Sequence, residues 1–210
     1  MDTKNDLGNL LGENELQKQK DILNWLSNID YPPQQNNYIS RREPQTGVWL
    51  LRSPEFCAWL EADKQTLFCP GIPGAGKSIQ TSIVVDYLIE KFYDEPTVGV
   101  AYLYCNFQRQ QDQKTESLLA NLIKQLVQHQ IPLPSNVKLL YERLTKKNQR
   151  PSLEVLSETF QSIASSYSRV FIVIDAFDEC DDTDGSRTRF LDRLFSIQNK
   201  IRLNLFATSR

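Results

Sequence analysis

Gly71-Ile72-Pro73-Gly74-Ala75-Gly76-Lys77-Ser78 is a complete G-x-x-x-x-G-K-S, and its reading decides the fold. It follows the apolar run Thr66-Leu67-Phe68-Cys69 and precedes Ile79 to Leu88, where apolar residues return at helical spacing. Strand, loop and helix in that order are what a phosphate-binding loop requires. Gly71, Gly74 and Gly76 allow backbone conformations that a Cβ disfavours, so successive N–H groups can turn inward. Those amides and the positive end of the following helix make an anion cradle. The whole run, Gly71, Ile72, Pro73, Gly74, Ala75, Gly76, Lys77 and Ser78, is expected to hold the phosphates of ATP or GTP. Lys77 would reach the β- and γ-phosphates, and the Ser78 hydroxyl would ligate Mg2+. A glycine turn with a chance Lys-Ser is the plain alternative, and the flanking strand and helix argue against it.

A second motif lies about a hundred residues on, at Val170-Phe171-Ile172-Val173-Ile174-Asp175-Ala176-Phe177-Asp178-Glu179. Five apolar residues ending in Asp predict a buried strand that delivers a carboxylate at its C-terminal edge, where open α/β sheets bind ligands. Asp175 is placed to hold Mg2+ through water, opposite Ser78. Asp178 and Glu179 follow a turn later, where either can orient or deprotonate an attacking water. An acidic surface loop, continued by Asp181, Asp182 and Asp184, is the competing reading, and the glycine loop upstream weakens it.

The remaining chain alternates strand and helix. Val98–Cys105 and Leu203–Arg210 read as strands buried on both faces, and Leu118 to Val127 as a strongly amphipathic helix. Two more helical patterns run through Val137–Leu144 and Leu153–Tyr167. Ser53-Pro54 reads as an N-cap followed by proline in the first turn. Such alternation predicts an α/β fold of three layers with a mostly parallel central sheet. Residues 1–12 read as loose and 13–27 as a short helix. Asp30 to Thr46, rich in Pro, Gln and Asn, reads as an aperiodic linker. The expected division is therefore 1–45, helix and linker, and 46–210, nucleotide-binding domain. Arg41 and Arg42 in the linker read as solvated charges, His129 as a surface residue, and Lys146, Lys147 and Arg150 as a solvated helix end.

The formal net charge of −2 supplies no basic field for nucleic acid or an anionic membrane, and no run of 18 apolar residues exists. Four cysteines without a C-x-x-C pair read as reduced residues of a soluble cytoplasmic protein. The start is polar and lacks the apolar stretch of a signal peptide.

The Gly71–Ser78 loop, the Asp175-Ala176-Phe177-Asp178-Glu179 ending and the terminal Thr208-Ser209-Arg210 together resemble the NACHT P-loop NTPases of the signal-transduction (STAND) class. The likeness is closest to the fungal proteins with a nephrocystin-type N-terminal module. Thr46-Gly47-Val48-Trp49-Leu50, Tyr102 to Phe107 and Arg150-Pro151-Ser152-Leu153 share it, so that it covers roughly residues 20–210. The resemblance implies a phosphate site at Gly71–Ser78, Mg2+ at Asp175, a catalytic carboxylate within Asp178–Glu179, and Arg210 as a sensor of the γ-phosphate. It also implies a nucleotide-driven switch that self-associates or meets protein partners through this module. Many relatives carry Gly where Ala176 stands. The family continues beyond the sensor strand, so the sheet is expected to be incomplete at the C-terminus, with the first strand at an open edge. That expectation supports a second reading, a binding-only or vestigial module without efficient hydrolysis. A P-loop small-molecule kinase fits less well, because no Arg-rich lid segment follows the central helices. A DNA-dependent ATPase is disfavoured by the acidic balance.

Overall fold

The strand that feeds the glycine loop and the strand that ends in Asp175 belong to one parallel sheet, separated by a single strand. The structure is a computed structural model that describes residues 3–180 and 185–210, without the side chains of residues 3–13, 110 and 111. Asp181, Asp182 and Asp184 of the expected acidic loop lie outside the described residues. The strands are β1 (Thr66–Pro70), β2 (Val98–Tyr104), β3 (Arg169–Asp175) and β4 (Leu203–Ser209). The helices are α1 (Thr3–Leu26), α2 (Pro32–Ser40), α3 (Val48–Leu51), α4 (Pro54–Glu61), α5 (Lys77–Lys91), α6 (Thr115–Val127), α7 (Ser135–Thr145), α8 (Leu153–Ala164) and α9 (Ser186–Gln198). No helix among the described residues is long and apolar enough to cross a membrane.

The sheet order is β1-β4-β3-β2, and every pairing is parallel. Val170 to Ile174 of β3 are fully buried, which explains an apolar run without alternation: both faces are covered. On one face Trp59 of α4 packs its ring 5.3 Å from Phe171 and 5.9 Å from Phe206, and Phe92 stacks on Phe171 at 5.3 Å. On the other, α6 approaches so closely at Gly99 that a Cβ there would lie 2.8 Å from Leu126 Cδ2. The chain is thus α/β, with helices on both faces of a parallel sheet.

Both outer strands are treated differently. β1 pairs only with β4 among the described residues and leaves Phe68 half exposed, the open edge expected for it. β2 is also an outer strand, but Gln125 of α6 covers it. Its Oε1 accepts from Tyr102 N at 3.0 Å, and its Nε2 donates to Tyr102 O at 2.7 Å. A side-chain amide thereby replaces a strand neighbour.

The cap at Ser53 forms as expected: its hydroxyl oxygen accepts from Phe56 N at 3.1 Å, with Pro54 in the first turn. Two expectations about the N-terminal segment fail. Residues 3–12 are helical, because α1 continues back through Leu7, Leu10 and Leu11 despite Gly8 and Gly12. The supposed linker contains α2, which packs on α5. Pro32 and Pro33 occupy its first turn, where a missing N–H costs nothing, and tertiary packing supplies the stability that its composition lacks. Ile22, Leu26, Ile29 and Tyr31 join the common core. Asn121 of α6 donates to Ser27 Oγ at 3.0 Å and to Ile29 O at 2.9 Å, fixing the turn between α1 and α2.

Asn204 in β4 ties the sheet to the turn that starts β1. It is fully buried, donates to Trp59 O at 2.5 Å and Ala62 O at 2.7 Å, and accepts from Gln65 N at 3.2 Å. Substituting leucine would leave three backbone groups without their partner, at about 1 kcal/mol or more each. Asn204→Leu is therefore expected to lower the urea-unfolding free energy by about 3 kcal/mol; an unchanged midpoint would contradict this role.

Candidate functional site

The Gly71–Ser78 loop leaves β1 and turns into α5 at the C-terminal edge of the sheet. Gly74 and Gly76 have φ of +81° and +79°, a region that glycine enters without penalty. No atom lies within 4 Å of a Cβ built at either, so conformation rather than space demands glycine there. Gly71 does not share this reason, since its φ is not positive and a Cβ would make ordinary contacts. The loop is tied to β4 by Gly71 N donating to Ser209 O at 3.0 Å. The N–H groups of Gly74, Gly76, Lys77 and Ser78 donate to no group among the described residues, as befits the start of a helix that presents amides outward. Lys77 Nζ folds back on its own loop, donating to Gly71 O at 2.6 Å and Ile72 O at 3.0 Å.

Asp175 ends β3 almost completely buried, at 2% exposure. Its Oδ1 accepts from Thr81 Oγ1 at 2.9 Å and from Thr208 Oγ1 at 2.8 Å. Thr208 Oγ1 in turn accepts from Ala176 N at 2.9 Å. Thr81 stands on α5 three residues past Ser78, so this one carboxylate oxygen joins the loop's helix, β3 and β4. Asp175 Oδ2 accepts no hydrogen bond among the described residues. Burial, with the charge of Asp175 adding, pushes the Tyr104 hydroxyl far above its ordinary range and keeps it a donor. Thr81 was not singled out from the sequence, and Thr208 only as part of the Thr208-Ser209-Arg210 ending, with no role of its own. A hydroxyl within one turn of Ser78 and another beside the strand-ending arginine were the only signals.

Beyond Asp175 the chain turns sharply. Ala176 adopts φ +48° and ψ +48°, a left-handed conformation that costs a residue with a Cβ about 1 kcal/mol. The turn Phe177–Glu179 follows and presents both of its carboxylates to Arg210. Asp178 Oδ2 lies 3.1 Å from Arg210 Nε, Asp178 Oδ1 accepts from Arg210 N at 3.1 Å, and Glu179 Oε1 lies 3.5 Å from Arg210 Nη2. These three residues, Lys77 and Ser78 line a cavity of about 540 Å3 between the loop and the sheet edge. Tyr38 and Arg41 of the α2 region line it too. Of the loop residues proposed from sequence, Pro73, Gly74, Gly76, Lys77 and Ser78 reach this cavity; Gly71, Ile72 and Ala75 do not, and Asp175 sits behind it. His129 is exposed, and Arg42 donates from Nε to Thr46 O at 3.2 Å.

Cys105 follows β2 and is disulfide-bonded to Cys180, just beyond Glu179, with their Cα atoms 5.3 Å apart. This corrects the expectation of four reduced cysteines; Cys57 and Cys69 alone are free. The pair is 75 residues apart in sequence, and only the neighbouring positions of β2 and β3 bring it together. Burial raises the Cys69 thiol, so it is a poor nucleophile.

Among the described residues no group of three or more His, Cys, Asp or Glu could hold a metal. Asp175 Oδ2, which accepts no hydrogen bond among those residues, and the Ser78 hydroxyl are hard oxygens of the kind Mg2+ takes. Mg2+ is commonly held by one or two such ligands, with water and phosphate completing its shell.

The family model described as Nephrocystin 3, N-terminal matches residues 45–210. No curated protein matches the chain. Among solved structures, the chain is similar to the Aeropyrum pernix ORC2 protein in its ADPNP and ADP complexes, at 14% identity and a TM-score of 0.46, over 85% of this chain and 41% of that one. It is also similar to C. elegans PCH-2, at 14% identity and a TM-score of 0.34, over 87% of this chain and 39% of that one. The chain thus spans about two fifths of the length of these proteins.

Two outcomes test the geometry around Asp175. Thr81→Val and Thr208→Val each remove one hydroxyl donor to the same oxygen, so their unfolding free energies are expected to be non-additive by about 0.5 kcal/mol or more in a double-mutant cycle. Ala176→Gly relieves the left-handed strain and is expected to stabilise the chain by about 1 kcal/mol. Destabilisation of that variant would remove the strain argument.

Proposed function

The chain belongs to the nephrocystin 3 N-terminal family over residues 45–210, and from that premise we propose that it is a switch module of the NACHT type that binds ATP, or GTP, together with Mg2+. One observation carries this reading: four unengaged loop amides, Lys77 and the buried Asp175 converge at a single sheet edge. Backbone N–H groups at a helix start, with the dipole behind them, select an anion of phosphate geometry. In this reading residues 46–210 form the nucleotide-binding unit and residues 1–45 its helical extension.

Lys77 exchanges its two loop carbonyls for the phosphate chain. Ser78 and Asp175 would hold Mg2+, which when bound neutralises charge developing on the β- and γ-phosphates. Asp175 supplies its second oxygen because Thr81 and Thr208 occupy the first. Asp178 or Glu179 orients a water toward the γ-phosphorus and takes its proton as the new P–O bond forms and the bond to the bridging oxygen breaks. Arg210 shifts from those carboxylates to the γ-phosphate. Nucleotide thereby frees an acidic pair and re-engages an arginine, a change of partners able to reorder the turn Phe177–Glu179.

A second reading, binding without efficient turnover, is supported by one feature: Arg210 engages both carboxylates at once. Titration with a fluorescent ATP analogue and Mg2+ tests both. Lys77→Ala is expected to lose affinity at least about tenfold, the scale of a charge-assisted hydrogen bond. Glu179→Gln is expected to bind as the parent does while any turnover falls by about 100-fold or more. No binding by the folded parent chain would overturn the proposal, and binding without hydrolysis that depends on Asp178 or Glu179 would select the second reading.

A further inference from the structure

The cavity beside Lys77 has a wall contributed from outside the segment that matches the family. We propose that Arg41, at the C-terminal end of α2, is a phosphate-binding residue that grips the phosphate chain of the bound nucleoside triphosphate from the side opposite the glycine loop. The inference rests on the nucleotide-binding reading and adds to it a cation which neither the loop motif nor the family match assigns.

The wall is built rather than incidental. Gln35 of α2 is buried at 5% exposure and donates to Ser82 O at 2.9 Å, one turn along α5 from Ser78. Its Oε1 accepts from the hydroxyl of Tyr104, at the end of β2. Three residues along α2, the Tyr38 ring packs against the Tyr104 ring with centroids 5.1 Å apart. These contacts hold the helix to both α5 and the sheet edge, so the positions of Tyr38 and Arg41 at the cavity follow from the core.

Charge selects Arg41 among the cations there. Lys77 is committed to Gly71 O and Ile72 O. Arg210 is matched by Asp178 and Glu179. Arg42, next in sequence, bonds Thr46 O. The guanidinium of Arg41 has no hydrogen-bond or ion-pair partner among the described residues, and the residue lines the same cavity as the loop. A planar guanidinium offers paired donors that match two phosphate oxygens, and such bonds are strong once ligand displaces water from them. A triphosphate brings several negative charges into a cavity where Arg210 is already balanced by two carboxylates and Lys77 is folded onto its own loop carbonyls. The uncommitted arginine is the group able to compensate that excess. Arg41 is exposed, as the sequence reading of a solvated charge expects, but it stands at the end of α2 beside the cavity and not in an aperiodic linker.

The test uses the full chain and fluorescent ATP, ADP and AMP analogues with Mg2+, titrated into the parent, Arg41→Ala, Arg41→Lys, Arg42→Ala and Lys77→Ala. Arg41→Ala is expected to bind the ATP analogue about tenfold more weakly, the ADP analogue less affected, and the AMP analogue within about twofold. Arg41→Lys should fall between, keeping charge but losing the paired geometry, and Arg42→Ala should match the parent. Because Arg41 is exposed, its variants should unfold at the parent's midpoint. If the parent binds and Lys77→Ala does not, but Arg41→Ala binds all three normally, the role of Arg41 is overturned while the nucleotide site stands. An equal loss for all three would put Arg41 on the α-phosphate, ribose or base that they share and overturn its assignment to the β- and γ-phosphates. Failure of the parent to bind any of them would overturn the nucleotide reading itself, and this inference with it.

Discussion

Everything at the sheet edge depends on a carboxyl group held under cover. Asp175 is 2% exposed and has no arginine or lysine bonded to it among the described residues; two threonine hydroxyls share one of its oxygens. A buried polar group is tolerated only where hydrogen bonds replace lost water, so the two threonines are a condition for an acid at that depth. They also link elements. Thr81 belongs to the helix that the glycine loop starts, and Thr208 to the strand lying between β1 and β3. Inserting β4 between those strands places Thr208 beside Asp175, while the Gly71 N to Ser209 O bond fastens the loop to the same strand. Sheet order and site geometry are therefore one constraint.

Much of this was legible because it is local. The glycine loop, the apolar run ending in Asp175 and the amphipathic spacing of α6 each state their conformation within a dozen residues. Burial on both faces erases the period-two signal of β3, yet the run is short and rich in β-branched residues, so its type is still readable. The open edge of β1 followed from the resemblance rather than from any residue in the strand. What stayed hidden in the sequence is non-local. Nothing within Pro32–Ser40 announces a helix: it opens on two prolines and continues through Gln and Asn. It exists because Gln35 finds Ser82 and Tyr104, 47 and 69 residues away.

The same limit explains the cysteines and the arginines. Spacing rules detect pairs that a turn brings together, and Cys105 with Cys180 is joined by parallel register across β2 and β3 instead. Arg41 and Arg42 are adjacent and chemically alike, so no sequence argument separates them. The end of α2 does: one guanidinium is used to hold Thr46, and the other is left beside the cavity. Ala176 is an intermediate case. A residue with a Cβ where many relatives carry Gly signals a demanding backbone, but only the observed φ of +48° says which demand is being met.

The resting pairings order the proposed response to nucleotide. Lys77 and Arg210 are both held by groups of the protein, and each gives up those partners to reach a phosphate. Loop amides and Arg41 give up nothing but water. In the proposed reading electrostatic attraction acts first through charges that no carboxylate balances, those of Arg41 and Lys77, together with the loop amides, and exchange at Arg210 follows. Release of Asp178 and Glu179 then comes last, after the phosphates are seated. In that reading the order would keep Asp178 and Glu179 paired until a nucleotide is in place, and the Arg210 pairing would act as a gate on hydrolysis; in the binding-only reading the same pairing is never released.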